Sequence, residues 1–161
     1  MLRVLYMNCF RCCLMMLCLA VACQAAPASP QAFANRIVHG IKHSSADLLL
    51  FLPSPQLIRS LMVCTEKGDQ NIAVALEKSQ SEVLQTQRQF RDVFSELQLH
   101  SFTITKTTPV QRGEAQGSCI TSRDFEIMHM NLNIRTSKDQ ELIPVRLEVL
   151  YVDRRYYLLG M

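Results

Sequence analysis

The hydrophobic rhythm of this chain changes once, near residue 98, and that change limits the folds open to it. Before it, apolar side chains recur at helical spacing. After it, they alternate every second residue and β-branched residues become common. Helices first and an antiparallel meander second is the layout of an α+β domain.

The helical half divides at its punctuation. Phe33, Ile37, Ile41, Leu48 and Leu49 predict one helix over 31–52, closed by Pro53. Ser54-Pro55 restarts the chain, because serine can cap free amides and proline at the first helical position loses no hydrogen bond. Leu57, Ile58, Leu61 and Met62 continue that short helix to about Cys64. Lys67-Gly68-Asp69 reads as a break, with Asp69 as the next N-cap. Residues 70–97 read as one long helix striped by Leu76, Val83, Phe90, Phe94 and Leu97, and the wholly polar run 78–82 leaves room for a bend or break.

In the second half, His100 to Thr107 alternates, with His100, Phe102, Ile104 and Lys106 set against Ser101, Thr103, Thr105 and Thr107. Pro109, Gly113 and Gly117 mark 108–117 as a loop, and Cys119 to Ser122 begins another strand. Over 124–135, Met128, Met130, Leu132 and Ile134 make one face and His129, Asn131, Asn133 and Arg135 the other. Phe125 and Ile127 break that alternation, and a bulge near Ile127 would restore it. After a turn at Ser137–Gln140, residues 143–152 set Val145, Leu147, Val149 and Tyr151 on one side. Asp153-Arg154-Arg155 turns tightly, and Tyr156 to Met161 pairs back.

The N-terminus reads as an export signal. Arg3 and Arg11 precede the apolar run Cys12–Cys23, and small residues follow at Ala25-Ala26-Pro27-Ala28-Ser29. The run is short of the roughly 20 apolar residues that span a bilayer. Residues 1–26 are therefore expected to be a signal peptide, and 27–161 a single domain. Cleavage would remove Cys9, Cys12, Cys13, Cys18 and Cys23 and leave Cys64 and Cys119, one candidate disulfide in an oxidising compartment. Loss of Arg3 and Arg11 from 17 basic and 14 acidic residues leaves a nearly neutral domain. With no cluster of cations, a nucleic-acid partner is not expected. Leu19-Ala20-Val21-Ala22-Cys23 also loosely resembles a bacterial lipobox, so a lipid at Cys23 is the alternative to simple cleavage and the only expected route to a membrane.

The closing stretch Val145 to Met161 (VRLEVLYVDRRYYLLGM) carries a resemblance. A long apolar strand, a short charged turn and an aromatic-rich last strand resemble the final hairpin of nuclear-transport-factor-2-like (cystatin-like) domains. Helices ahead of the sheet suit that superfamily, as does a small exported bacterial protein. The resemblance implies a cone-like fold, with N-terminal helices packed on a curved antiparallel sheet around a pocket. It implies no single activity, because the superfamily hosts enzymes, binding modules and assembly parts.

Three constellations bear chemistry. His39, His43 and Asp47 follow one another at helical spacing and would offer two imidazoles and a carboxylate to a metal; the competing reading is a solvated helix face. His129 would serve as a general base beside Glu148 or Asp124; the competing reading is the water-facing side of a sheet, with Arg146 on the neighbouring strand. Phe102, Ile104, Met128, Met130 and Leu132 would line a hydrophobic cavity or simply form core. No G-x-S-x-G elbow and no glycine-rich phosphate loop occurs, and no cofactor is expected. The expectation is a non-catalytic binding or assembly module, periplasmic or secreted, that meets a second copy or an envelope protein through Thr103, Thr105, His129 and Asn131. The alternatives are a lyase- or isomerase-type pocket enzyme using His129, and a carrier of small hydrophobic ligands.

Overall fold

The computed structural model describes residues 29–43, 45–93, 96–136 and 142–161. The leader over 1–26 with its five cysteines, the stripe residue Phe94 and the turn over 137–140 lie outside the described residues.

Helix α1 spans Pro30–His43 and α2 spans Ser45–Leu49, where the sequence predicts one helix. Leu48 explains the break. It is fully buried, and a Cβ at Gly40 would stand 2.8 Å from its Cδ2. In an unbroken helix the two residues would be roughly 12 Å apart along the axis. The chain instead folds back, and glycine allows the close approach.

Helix α3 spans Pro55–Leu61, with Ser54 as its cap: the Leu57 N–H donates to Ser54 Oγ at 3.1 Å. It ends before Cys64, because Met62–Cys64 forms strand β1. Thr65 then starts α4, Glu66–Val93, its hydroxyl accepting from the Gly68 N–H at 3.3 Å. Gly68 is therefore no break. A Cβ there would lie 3.0 Å from Cys119 Sγ, Cys64 Cβ and Ser118 O, so it lets the helix run against a disulfide. The chain does not break at 78–82, since α4 continues through it and Ser79 is buried.

The strands form two antiparallel sheets. β1, β4 (Cys119–Thr121) and β3 (Ala115–Gln116) make a small one in the order β1-β4-β3. Cys64 and Cys119 are register partners there and are disulfide-bonded. The main sheet has the order β2-β5-β6-β7, with β2 Leu97–Val110, β5 Phe125–Thr136, β6 Leu142–Val152 and β7 Arg155–Gly160. Leu97 thus opens a strand rather than closing a helix. β2 also runs through Pro109, which sequence placed in a loop; as an edge strand, β2 tolerates a missing N–H.

Both faces of the main sheet are covered at one end. On one face, Met128, Met130, Leu132, Ile134, Val145, Leu147, Val149, Tyr156 and Leu158 pack with Phe33, Ile37 and Ile41 of α1, Leu48 and Val83. On the other, Phe125, Ile127, Leu150, Val152, Tyr157 and Leu159 meet Ile58 and Leu61 of α3 and Ile72 and Leu76 of α4. This second core explains the broken alternation. β5 pairs with β6 from Glu126 to Arg135 without a shift, so the expected bulge near Ile127 does not occur. Phe125 and Ile127 face the second core instead. α4 contributes to both clusters and so passes the β7 edge, where the Ser79 hydroxyl donates to the Leu159 carbonyl. Leu159 is the residue skipped in the β6–β7 register, which frees that carbonyl.

Candidate functional site

Beyond the second core, the outer sheet face is open, and β2 decides what it displays. The β2–β5 register shifts between Leu99 and Ser101 and between Ile104 and Lys106, leaving His100 and Thr105 as the extra residues. Strict alternation would put Lys106 beside Ile104 and Phe102. The bulge at Thr105 turns it over to the polar side, opposite His129. The Thr105 hydroxyl donates to the His129 carbonyl at 3.1 Å and pins the bulge.

A row therefore crosses the sheet as Lys106, His129, Glu148 and Gly160, one residue per strand. A second row holds Thr103, Asn131 and Arg146. Above them lies an open cleft of about 720 Å³, with Glu82 of α4 as the far wall and Met161 beside it. Lys106, Arg146 and Glu148 are exposed, and His129 and Asn131 are half-buried. Among the described residues, the side chains of Lys106, His129, Arg146 and Glu148 make no hydrogen bond or ion pair. Glu82 pairs with Lys78, at 3.6 Å, on the exposed helix surface.

The structure sets His129 and Glu148 opposite one another but does not join them. A base oriented by a carboxylate needs contact within about 3.2 Å. Asp124 is engaged elsewhere, accepting from the Arg112 N–H at 2.7 Å. Sequence reasoning pointed to His129, Asn131, Arg146 and Glu148 and missed Lys106, Glu82 and Gly160. Nothing in the period-two pattern marks the Thr105 bulge, and Glu82 reaches the site only because α4 passes the β7 edge.

The imidazoles of His39 and His43 lie 4.5 Å apart, centroid to centroid. Asp47 belongs to α2, and lines a recess of about 200 Å³ with His39, Phe51 and the cationic Arg36. Among the described residues no three His, Cys, Asp or Glu side chains come close enough together to hold a metal ion. Met128, Met130 and Leu132 are buried in the first core, Phe102 is half-buried against it, and Ile104 is exposed. Tyr156, in that core, has its pKa raised above 10.0, first by burial and then by Tyr151 and Glu126 nearby.

Among the described residues no helix is long and apolar enough to cross a membrane. No protein-family model matches the chain, and neither a curated protein nor a solved structure does.

Proposed function

We propose that this chain is an exported, non-catalytic binding module of the bacterial cell envelope, built as a cone-like domain that receives its partner on the open half of its sheet. One observation carries the reading. The sheet is buried on both faces at one end, while the other end of its outer face bears four chargeable side chains with no partner among the described residues. Unpaired Lys106, His129, Arg146 and Glu148 leave their hydrogen-bonding capacity to an outside group. An open, solvated cleft suits binding better than proton abstraction, which favours a water-excluded site. The filled core around Met130 and Leu132 weighs against a carrier of hydrophobic ligands.

Export draws support from two independent features, the leader-like N-terminus and the Cys64–Cys119 disulfide. The partner is a second copy or another envelope protein. Lipidation at Cys23 would add a membrane tether. The reading is tested by placing a photoreactive amino acid at Asn131 or, as a control, at exposed Val74, in the native host. Irradiation is expected to link Asn131, and not Val74, to one exported species that rebinds the purified domain. Equal labelling at both positions, or none, would sink it.

A further inference from the structure

We propose that the cleft takes a short zwitterionic ligand of peptide dimensions, laid across the strands with its ammonium end over Gly160 and its carboxylate end at Lys106. This goes beyond the binding reading above, giving the same open face a small ligand besides a protein partner, and it rests on that reading for the face.

The charges are ordered along the row. Lys106 stands on the edge strand β2, His129 on β5, Glu148 on β6 and side-chain-free Gly160 on β7, with Glu82 beyond it on α4. One end is cationic; the other is flanked by the unpaired Glu148 carboxylate and by that of Glu82, which shares its charge with Lys78 at 3.6 Å on the helix surface. Nothing lies within 4 Å of where a Gly160 Cβ would be, so the slot over Gly160, in the cleft that Glu148 and Glu82 both line, is open. An ammonium in that slot would meet acid on both sides. Arg146 and Asn131, one row along, would face the middle of the ligand with donors suited to amide carbonyls. A polyanion would be repelled at Glu148 and Glu82, and a polycation at Lys106 and Arg146. A ligand carrying both signs satisfies both ends.

The length of the row sets the size. Strands lie about 4.8 Å apart, so Lys106 and Gly160 are separated by roughly 14 Å of sheet. An extended chain covers about 3.3–3.6 Å per residue, so about four residues bridge the row, or three with the Lys106 side chain reaching inward.

The test is a titration of the isotope-labelled chain, purified from its host with the disulfide intact, followed by amide NMR. The probes are triglycine, N-acetyl-triglycine and triglycine amide. Triglycine is expected to give saturable shifts at Lys106, His129, Asn131, Arg146, Glu148 and Gly160. Capping either end should weaken binding about tenfold, the loss of one charge-assisted contact. Gly160→Leu should weaken triglycine similarly while leaving the rest of the spectrum native. Lys106→Glu, at an exposed site, should reverse the order of triglycine and triglycine amide, and serves if Gly160→Leu does not fold. Equal affinity for capped and free peptides, shifts centred elsewhere, or no saturable shift would overturn the proposal. Photo-labelling from Asn131 without any triglycine response would remove this ligand class and leave the binding reading in place.

Discussion

Gln87 sits in α4 with only 2 % of its surface exposed, and its Nε2 has no partner among the described residues. An unmet buried donor costs about 1–3 kcal/mol. Gln87→Met keeps the volume and removes the donor, so it should raise stability by about 1 kcal/mol in urea unfolding. Tyr156 makes a second residue-level prediction. Its raised pKa means that the folded state holds the phenolic proton more tightly than the unfolded chain. That contribution is complete below pH 10 and drains as pH climbs past 10 toward the folded value. Tyr156→Phe should therefore lose less stability than the parent between pH 8 and pH 11, by urea midpoint. Equal losses would remove burial of Tyr156 as a cause. Lys106 shows where single residues escape sequence reading: one extra residue in β2 exchanges the two faces of the strand.

Gly68 lies in the first turn of α4, where alanine would ordinarily favour the helix by about 1 kcal/mol. Here the added Cβ meets the disulfide and the Ser118 carbonyl at 3.0 Å, and neither yields easily. Gly68→Ala should instead destabilise by about 1–3 kcal/mol, and less once Cys64 and Cys119 are both replaced by serine. Thermal unfolding of the four proteins measures this. The β6–β7 turn holds Asp153 at φ 50° and Arg154 at φ 60°, the left-handed pair of a type I′ turn. Asp153 also pairs with Arg123 at 2.6 Å, so Arg154 is the position to change. Arg154→Gly should stabilise by about 1 kcal/mol in urea unfolding, since left-handed backbone costs an ordinary residue about 1–2 kcal/mol. At this scale the sequence was legible wherever one periodicity ruled. The Ser54 cap, the Leu76, Val83 and Phe90 part of the α4 stripe, the Met128–Ile134 face and the closing hairpin all follow from local chemistry. The fold-back at Leu48, the true role of Gly68 and the missing bulge at Ile127 do not, because each is set by a distant contact. Leu48 answers to Gly40, Gly68 to Cys119, and Ile127 to a second core that no local pattern announces.

At the largest scale, the described residues form a four-stranded antiparallel meander wrapped by helices, with a small three-stranded sheet fastened through Cys64 and Cys119, 55 residues apart. Its α+β character is readable from the order of periodicities. Half of the candidate site, His129, Asn131, Arg146 and Glu148, is readable too, because polar residues on alternate positions mark an open face. The other half comes from elements brought together only by folding. The proposed role requires the chain to work outside a reducing compartment, with that disulfide closed. A cross-link over such a loop contributes about 4 kcal/mol by the chain-entropy relation, so the redox state bears on fold and function alike. Intact mass of the protein from its native host, alkylated before and after reduction, tests this most directly. The account predicts a chain that has lost its leader, beginning between Cys23 and Ser29, in which Cys64 and Cys119 take the reagent only after reduction. A chain that retains residues 1–26 and is alkylated at both cysteines without reduction would contradict it.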